Sequence, residues 1–261
     1  DFAIDPIIFP EPRITMAIVV EDEANEEKVS EALDDIQRED PTINVFYAKE
    51  PSKIEVVNDI NHELINLHRA IRNNPESLSK YLNEMLISRE IFDDIKRKRM
   101  KPKNKIEAAA FYFYRLTMSF SCKGDNFAMF AKCGRKPKDI YKTYHKWAAR
   151  LKGVTIENKS FDELIRLYDK EEVFFYCDPP YVETESYYKN TGGFGLKEHE
   201  LLAATLKDIK GKFLLSYNDC ELVRELYKDF NISLTKEIKY SLGQSKSKKK
   251  KAVREVFITN Y

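Results

Sequence analysis

The feature that most constrains the fold is an apolar strand that runs without a break into a stiff tetrapeptide. Residues Val173–Cys177 form the strand, and Asp178-Pro179-Pro180-Tyr181 follow it directly. A short continuous apolar run bounded by turn residues is typical of a strand buried on both faces of a sheet. In open α/β sheets, ligands bind at the carboxyl ends of the strands. The tetrapeptide therefore emerges where a substrate would bind.

The chemistry of the tetrapeptide suits an exocyclic amine. Its two prolines fix the backbone and leave carbonyls without local donors. The Asp178 carboxylate and the Pro179 carbonyl can then accept hydrogen bonds from one amine, while the Tyr181 ring stacks on the base that carries it. A base inside a duplex cannot reach such a pocket unless it is flipped out. The alternative is a proline-stiffened turn; the apolar strand and the flanking αβ units favour the functional interpretation.

Around this strand the sequence alternates between strand and helix patterns. Strands are predicted at residues 13–20, 43–47, 54–57, 154–157, 173–177, 213–216, 232–240 and 253–259. Helices are predicted at residues 25–39, over most of 62–120, and at 138–151, 161–168, 197–209 and 221–230, with a hairpin at 124–134. Strands separated by short helices predict an α/β fold with a mainly parallel sheet covered on both faces.

Charge is unevenly distributed along the 261 residues, although the formal net charge is only +1. Residues 21–39 are acidic, whereas residues 96–105 and 246–251 are basic. Basic stretches in a nearly neutral chain suit nucleic acid, but a solvated surface is the usual explanation of any one of them. The length allows one large domain or a domain with an inserted subdomain.

The four cysteines, at positions 122, 133, 177 and 220, form no CxxC pair. No His/Cys spacing suggests zinc, so we expect free thiols in a reducing cytoplasm and no metal. No apolar run approaches the length of a membrane span, and no signal peptide is recognisable. A cytoplasmic location without membrane attachment is the resulting expectation.

The stretch Phe-Phe-Tyr-Cys-Asp-Pro-Pro-Tyr, residues 174–181, closely resembles the catalytic motif of Dam-type DNA adenine-N6 methyltransferases. Further stretches resemble that family's motifs in the same order, at residues 57–67, 110–126, 213–219 and 255–261. The resemblance covers about residues 45–261. It implies a Rossmann-like S-adenosylmethionine-dependent methyltransferase sheet with an inserted, mainly helical DNA-recognition subdomain, active in DNA methylation of the restriction-modification kind.

The resemblance also implies roles for individual residues. Asp178 and the Pro179 carbonyl would hold the N6 amine of the target adenine, and Tyr181, stiffened by Pro180, would stack on the flipped base. Asn58 and Asp59 would bind S-adenosylmethionine, with Asp59 on its ribose, and Asp178 would also border the cofactor. Phe161 would border the cofactor adenine, although Ser160 stands where the family usually has an acidic residue. The methyl group would pass by direct displacement, without a metal.

In the same resemblance, residues 45–67 and 151–261 would form the catalytic domain, and residues 68–150 the target-recognition subdomain. Its partner would be double-stranded DNA, whose phosphates basic side chains neutralise without reading the sequence. The DNA-binding candidates are Arg115, Lys123, Asn126, Arg135, Lys136, Lys138, Lys248 and Lys249.

The first 44 residues break this pattern. The family has a Gly-rich cofactor loop near its start, where only glycine lets the backbone approach the cofactor closely. This chain has no glycine before Gly124. Residues 7–43 instead resemble the beginning of domain III of bacterial elongation factor G. Either the graft removed cofactor binding, or its strand and helix replace the missing ones and the loop Glu21–Ala24 offers carboxylates to the cofactor ammonium group.

The sequence therefore predicts an adenine-specific DNA methyltransferase whose activity is impaired by the missing loop. The alternatives are a catalytically inactive DNA-binding relic and a fusion of a methyltransferase with a translation-factor fragment. The DNA recognition sequence and the oligomeric state stay open.

Overall fold

The computed structural model describes residues 16–20, 45–48, 50–119, 124–128, 142–182, 193–234 and 255–261. Its strands are β1 (Met16–Val20), β2 (Ile54–Asn58), β3 (Thr155–Glu157), β4 (Val173–Cys177), β5 (Lys212–Asn218), β6 (Asn231–Leu234) and β7 (Glu255–Thr259). Its helices are α1 (Val45–Ala48), α2 (His62–Asn73), α3 (Pro75–Glu84), α4 (Arg89–Lys96), α5 (Lys105–Thr117), α6 (His145–Arg150), α7 (Phe161–Tyr168), α8 (Leu196–Lys207) and α9 (Glu221–Leu226). Within these described ranges, no helix is both long and apolar enough to cross a bilayer.

The described residues divide into two compact units. The first contains those between 45 and 51 and between 61 and 158, which include α1 to α6 and β3. The second contains those between 16 and 20, between 52 and 60 and from 159 onward, which include the other six strands and α7 to α9.

Side-chain caps start the main helices of the first unit. Asn61 accepts hydrogen bonds from the N–H groups of Glu63 (3.0 Å) and Leu64 (3.3 Å) at the start of α2. Asn104 caps α5 in the same way through the N–H of Glu107 (2.9 Å). These caps satisfy amides that the first turn leaves without partners. Helix α5 is buried over most of its length, and α2 and α3 pack against it.

The strand predicted at residues 43–47 is wrong, because Val45–Ala48 form the short helix α1. Phe46 and Tyr47 are buried in the first unit. The Arg150 guanidinium lies 3.9 Å from the centroid of the Phe46 ring and donates a hydrogen bond to the Phe46 carbonyl (2.9 Å). An apolar run this short has no periodicity that separates strand from helix. The contacts with Arg150 accompany the helical outcome.

Two other predicted elements are described only in part. Helix α6 begins at His145, so residues 142–144 are not helical as predicted, while residues 138–141 lie outside the described ranges. From the predicted hairpin at 124–134, Phe127 pairs with Ser119 in an isolated antiparallel bridge, and residues 129–134 are not described.

The strands of the second unit are hydrogen-bonded in the order β2-β1-β4-β5-β7-β6. Strand β1 lies between β2 and β4 and is antiparallel to both. Strands β4 and β5 are parallel, whereas β7 is antiparallel to β5 and to β6. The prediction of a mainly parallel sheet is therefore wrong for this unit. The reason is that β1 runs opposite to its neighbours β2 and β4, and that β7, which lies between β5 and β6, runs opposite to both.

Strand β4 confirms the predicted central strand, because each of its residues is buried. Leu164 of α7, Leu202 of α8 and Val223 of α9 pack into the same core. Full burial of an apolar side chain of this size contributes about 1.5–3 kcal/mol. A Cβ at Gly211, just before β5, would lie 2.5 Å from the Val173 carbonyl oxygen, so glycine is required there. The two strands that end at the candidate site are thus firmly anchored.

Candidate active site

Three strand ends meet at one edge of the second unit's sheet. Because β2 and β4 are each antiparallel to β1, and β5 is parallel to β4, strands β2, β4 and β5 run in the same direction. Their carboxyl ends lead into Asp59, Asp178 and Asp219. Ligand sites of open α/β sheets lie at this edge. The predicted base-binding tetrapeptide and the predicted ribose-binding acid therefore follow strand ends at the same edge.

The Asp178 carboxylate is held by the neighbouring strand. The Ser216 hydroxyl on β5 donates a hydrogen bond to Asp178 Oδ1 (2.8 Å). Asp178 itself is half-buried, while Pro179 and Pro180 behind it are buried. A hydrogen bond to a carboxylate from a side chain on a strand fixes the direction of the carboxylate. The arrangement can present an acceptor to an amine at the end of β4.

The far end of the tetrapeptide is held by a second side chain of β5. The N–H of Val182 donates to Asn218 Oδ1 (2.9 Å), and Asn218 Nδ2 donates to the Val182 carbonyl (3.2 Å). The half-buried Tyr181 ring lies 6.3 Å from the ring of Tyr217, also on β5, at an interplanar angle of 37°. Strand β5 therefore supports both ends of the tetrapeptide.

The two hydrogen bonds between Asn218 and the backbone of Val182 form a clamp, and an equivalent clamp is found at the end of β2. Asn58 Nδ2 donates to the Lys159 carbonyl (3.0 Å), and the Lys159 N–H donates to Asn58 Oδ1 (2.8 Å). Asn58 is buried, and its amide is engaged with this backbone. The clamp fixes the segment that leads into α7 and Phe161. Asn58, predicted to bind cofactor, thus has a structural task.

Asp59 and Phe161, also predicted to contact the cofactor, differ in accessibility. Asp59 is 1% exposed, which is low for a side chain expected to contact a diffusible ligand. Phe161 is half-buried, and its ring centroid lies 5.9 Å from that of Phe194. Both residues belong to the second unit, at the end of β2 and at the start of α7.

Cys177, next to Asp178, is buried and is not a reactive thiol. Burial raises the pKa of its thiol well above the ordinary value, and the nearby Asp178 charge raises it further. A thiol held neutral in this way is a poor nucleophile. Cys177 therefore acts as a small apolar core residue of β4.

The direction of β1 bears on the loop Glu21–Ala24. Strand β1 begins at Met16, opposite Asn58, and ends at Val20, opposite Ile54 and Val173. The carboxyl end of β1 is therefore at the amino ends of its two neighbours, away from Asp178. The loop itself lies outside the described residues. The strand that leads into it does not support the expectation that its carboxylates reach a cofactor at the Asp59 and Asp178 edge.

The first unit contains the described DNA-binding candidates. Arg115 is largely buried, pairs with Glu63 (3.4 Å) and lies 5.9 Å from the Tyr112 ring centroid. Asn126 is exposed. The remaining candidates lie outside the described residues, namely Lys123, Arg135, Lys136, Lys138, Lys248 and Lys249.

Every lysine and arginine of the basic segment at residues 96–103 is exposed. Its cations are Lys96, Arg97, Lys98, Arg99, Lys101 and Lys103. Arg99 pairs with Asp94 (2.6 Å), and Lys96 donates to the Asp125 carbonyl.

Ser216, Tyr217 and Asn218 are site residues that the sequence reasoning missed. The predicted strand ended at Ser216, whereas β5 continues to Asn218. The sequence signal that could have found them is the polar Ser216, which directly follows the apolar residues Phe213–Leu215 of the strand that pairs with β4. In the described part of the chain, no group of three or more His, Cys, Asp or Glu side chains is arranged to hold a metal ion.

Comparison with known families gives two matches. The model of the D12 class N6 adenine-specific DNA methyltransferases matches residues 42–241, which is more than half of the chain. The model of Elongation Factor G, domain III, matches residues 9–55. Both resemblances predicted from the sequence are thereby confirmed. A search of curated proteins found no significant relative.

Proposed function

The chain belongs to the family of D12 class N6 adenine-specific DNA methyltransferases, and from that premise we propose that it binds an adenine flipped out of double-stranded DNA and transfers a methyl group to it with impaired activity. The Ser216–Asp178 hydrogen bond (2.8 Å) at the end of β4 is the observation that carries the adenine site. The reversed β1 is the observation that carries the impairment.

The adenine site has an acceptor and a stacking ring. The Asp178 carboxylate, oriented by Ser216, and the Pro179 carbonyl would accept hydrogen bonds from the N6 amine. The half-buried Tyr181 would stack on the base, which contributes about 1–3 kcal/mol. An adenine reaches such a pocket only after flipping out of the duplex. Holding the amine in one direction is the positional contribution that these residues make to the reaction.

The cofactor side does not fit S-adenosylmethionine, the methyl donor that this family normally uses. In a doubly wound sheet the cofactor lies where the strand order reverses, at the carboxyl end of the first strand. Here the order reverses between β1 and β4, but β1 presents its amino end at that edge. No glycine precedes Gly124, Asn58 is engaged with Lys159, and Asp59 is 1% exposed. The residues present therefore rebuild only part of the expected pocket.

Labelled-methyl transfer to a mixed-sequence duplex tests this proposal. We expect slow transfer by the parent chain at high S-adenosylmethionine concentration. Asp178→Ala should lower the rate at least ~100-fold, as expected for removal of a group that acts on the reacting atom. Asp208→Ala, an exposed acid of the same unit, is the matched control and should leave the rate unchanged. Transfer that survives Asp178→Ala would remove Asp178 from the reaction.

A second candidate function is DNA binding without catalysis. The exposed basic segment at residues 96–103 favours it, because lysine and arginine neutralise phosphates whether or not methyl transfer occurs. Retained DNA affinity together with no transfer by the parent chain, at any cofactor concentration, would establish this candidate in place of the enzyme.

A further inference from the structure

A buried histidine–tyrosine pair lies behind the Tyr181 ring. His199 on α8 and Tyr217 on β5 are each 1% exposed. The His199 Nδ1 and the Tyr217 hydroxyl are hydrogen-bonded to each other. A buried polar group without a partner is destabilising, so each member of the pair stabilises the other in one orientation. This bond fixes where the Tyr217 ring lies.

The pair is part of a continuous row of aromatic rings. Tyr217 lies 6.3 Å from Tyr181 on one side and 5.6 Å from His199 on the other. His199 meets Phe194 edge to face at 4.9 Å and 76°, and Phe194 lies 5.9 Å from Phe161. Aromatic pairs at these separations prefer definite relative orientations. A change in the place of Tyr217 is therefore transmitted to the Tyr181 ring.

Tyr181 is also restrained through the backbone of its neighbour. Asn218 holds both the N–H and the carbonyl of Val182. The clamp fixes the chain at Tyr181 but not the rotation of its side chain, which has two torsions of its own. The Tyr217 ring lies against the Tyr181 ring on the side of β5. The ring orientation therefore depends on Tyr217, and through it on His199.

We propose that His199 and Tyr217 are positioning residues that set the orientation of the Tyr181 ring on which the target adenine stacks. The inference rests on the proposed function for the identity of the stacked base. It assigns to a buried histidine on α8 a role in base capture through its bond to Tyr217. Neither residue is a catalytic residue.

Fluorine NMR of the chain with 3-fluorotyrosine incorporated at position 181 tests the inference without requiring turnover. Tyr217→Phe keeps the ring and removes the hydroxyl, so we expect the Tyr181 resonance to shift or broaden. His199→Leu should have the same effect, and His199→Asn, whose amide reaches the place of Nδ1, should restore most of the parent spectrum. Thermal unfolding of each variant verifies that it folds.

Tyr227→Phe is the matched control. Tyr227 is fully buried, its ring lies 6.1 Å from Tyr217, and its hydroxyl has no hydrogen-bond partner among the described residues. Removing that hydroxyl should leave the Tyr181 resonance in place. An unchanged resonance in Tyr217→Phe, or an equal change in Tyr227→Phe, would overturn the inference.

A binding experiment separates this inference from the proposed function. If Tyr181 stacks on a base, Tyr217→Phe should weaken binding of a mixed-sequence duplex by about 3-fold or more, because part of the stacking interaction is lost. A shifted Tyr181 resonance with unchanged DNA affinity would support the positioning role and contradict the stacking role of Tyr181.

Discussion

The imidazole of His68 shows how burial controls a single titratable group in the first unit. It is 3% exposed, and its Nδ1 lies 3.0 Å from the Tyr47 hydroxyl. Burial lowers the pKa of His68 to about 4, because the interior disfavours the charged form. The ordinary pKa is about 6.5, the value that applies in the unfolded chain. The neutral form is therefore the one that the fold accepts.

The depressed pKa of His68 predicts a pH dependence of stability. As the pH falls, His68 takes up a proton in the unfolded chain before it does so in the folded chain. The contribution of neutral His68 to the free energy of unfolding is therefore complete above about pH 6.5 and is lost as the pH falls toward about 4. The loss should be on the order of 3 kcal/mol. Urea unfolding at several pH values measures it. His68→Gln should flatten the curve across this window, and parallel curves for parent and variant would contradict the assignment.

At the scale of elements, strands β2 and β5 end in the same device. Asn58 and Asn218 each form two hydrogen bonds with the backbone of one residue that follows another strand, Lys159 after β3 and Val182 after β4 respectively. A side-chain amide that bonds both the N–H and the carbonyl of one residue makes the same pair of hydrogen bonds that a neighbouring β-strand would make. The device holds the loops at the candidate edge without a side chain from the loop itself.

We expect each clamp to contribute measurably to stability. Asn218→Ala and Asn58→Ala each remove two hydrogen bonds, so each should lower the free energy of unfolding by about 1–3 kcal/mol. Asn218→Asp keeps the acceptor for the Val182 N–H but turns a carboxylate oxygen toward the Val182 carbonyl, so its cost should be at least as large as that of Asn218→Ala. Chemical denaturation of the three variants is the measurement. Equal stability of Asn218→Ala and the parent would show that the clamp contributes nothing.

The sequence predicted elements well where burial alone decides them. Strand β4 and helix α7 are found at the predicted residues, because the apolar run of β4 is closed by the turn residues Asp178-Pro179-Pro180 and α7 carries a regular apolar stripe. The short run at residues 43–47 had two solutions, and contacts with Arg150 accompany the helix. The direction of β1 could not be predicted, because an apolar strand reads the same in either direction. Ser216 and Asn218 act only through residues distant in the chain.

At the scale of the whole molecule, the basic segment at residues 96–103 should contribute to DNA affinity. Lys101→Gln removes one exposed cation, which should weaken binding similarly for all sequences and reduce the slope of log affinity against log salt by about 1. Lys80→Gln, an exposed cation of the first unit outside the segment, is the matched control. Filter binding between about 50 and 200 mM salt measures the slope. A flat dependence for the parent would argue against DNA as the partner.

The proposed function combines a well-supported candidate adenine site with an incomplete candidate cofactor site. Asp178 is oriented by Ser216 at the end of β4. Strand β1, from the segment that matches Elongation Factor G, domain III, presents its amino end between β2 and β4. We therefore expect the proposed adenine site to bind its base and the proposed cofactor site to bind S-adenosylmethionine only weakly.

Calorimetric titration of the whole chain with S-adenosylmethionine tests the central claim most directly. Because the reversed β1 removes one wall of the expected pocket, we expect a dissociation constant above about 40 μM, corresponding to a binding free energy weaker than about −6 kcal/mol. Asp59→Ala, which removes the predicted ribose ligand, should change this weak affinity little. A dissociation constant of about 1 μM or below, near −8 kcal/mol, would contradict the account and show that the first 44 residues rebuild the cofactor pocket.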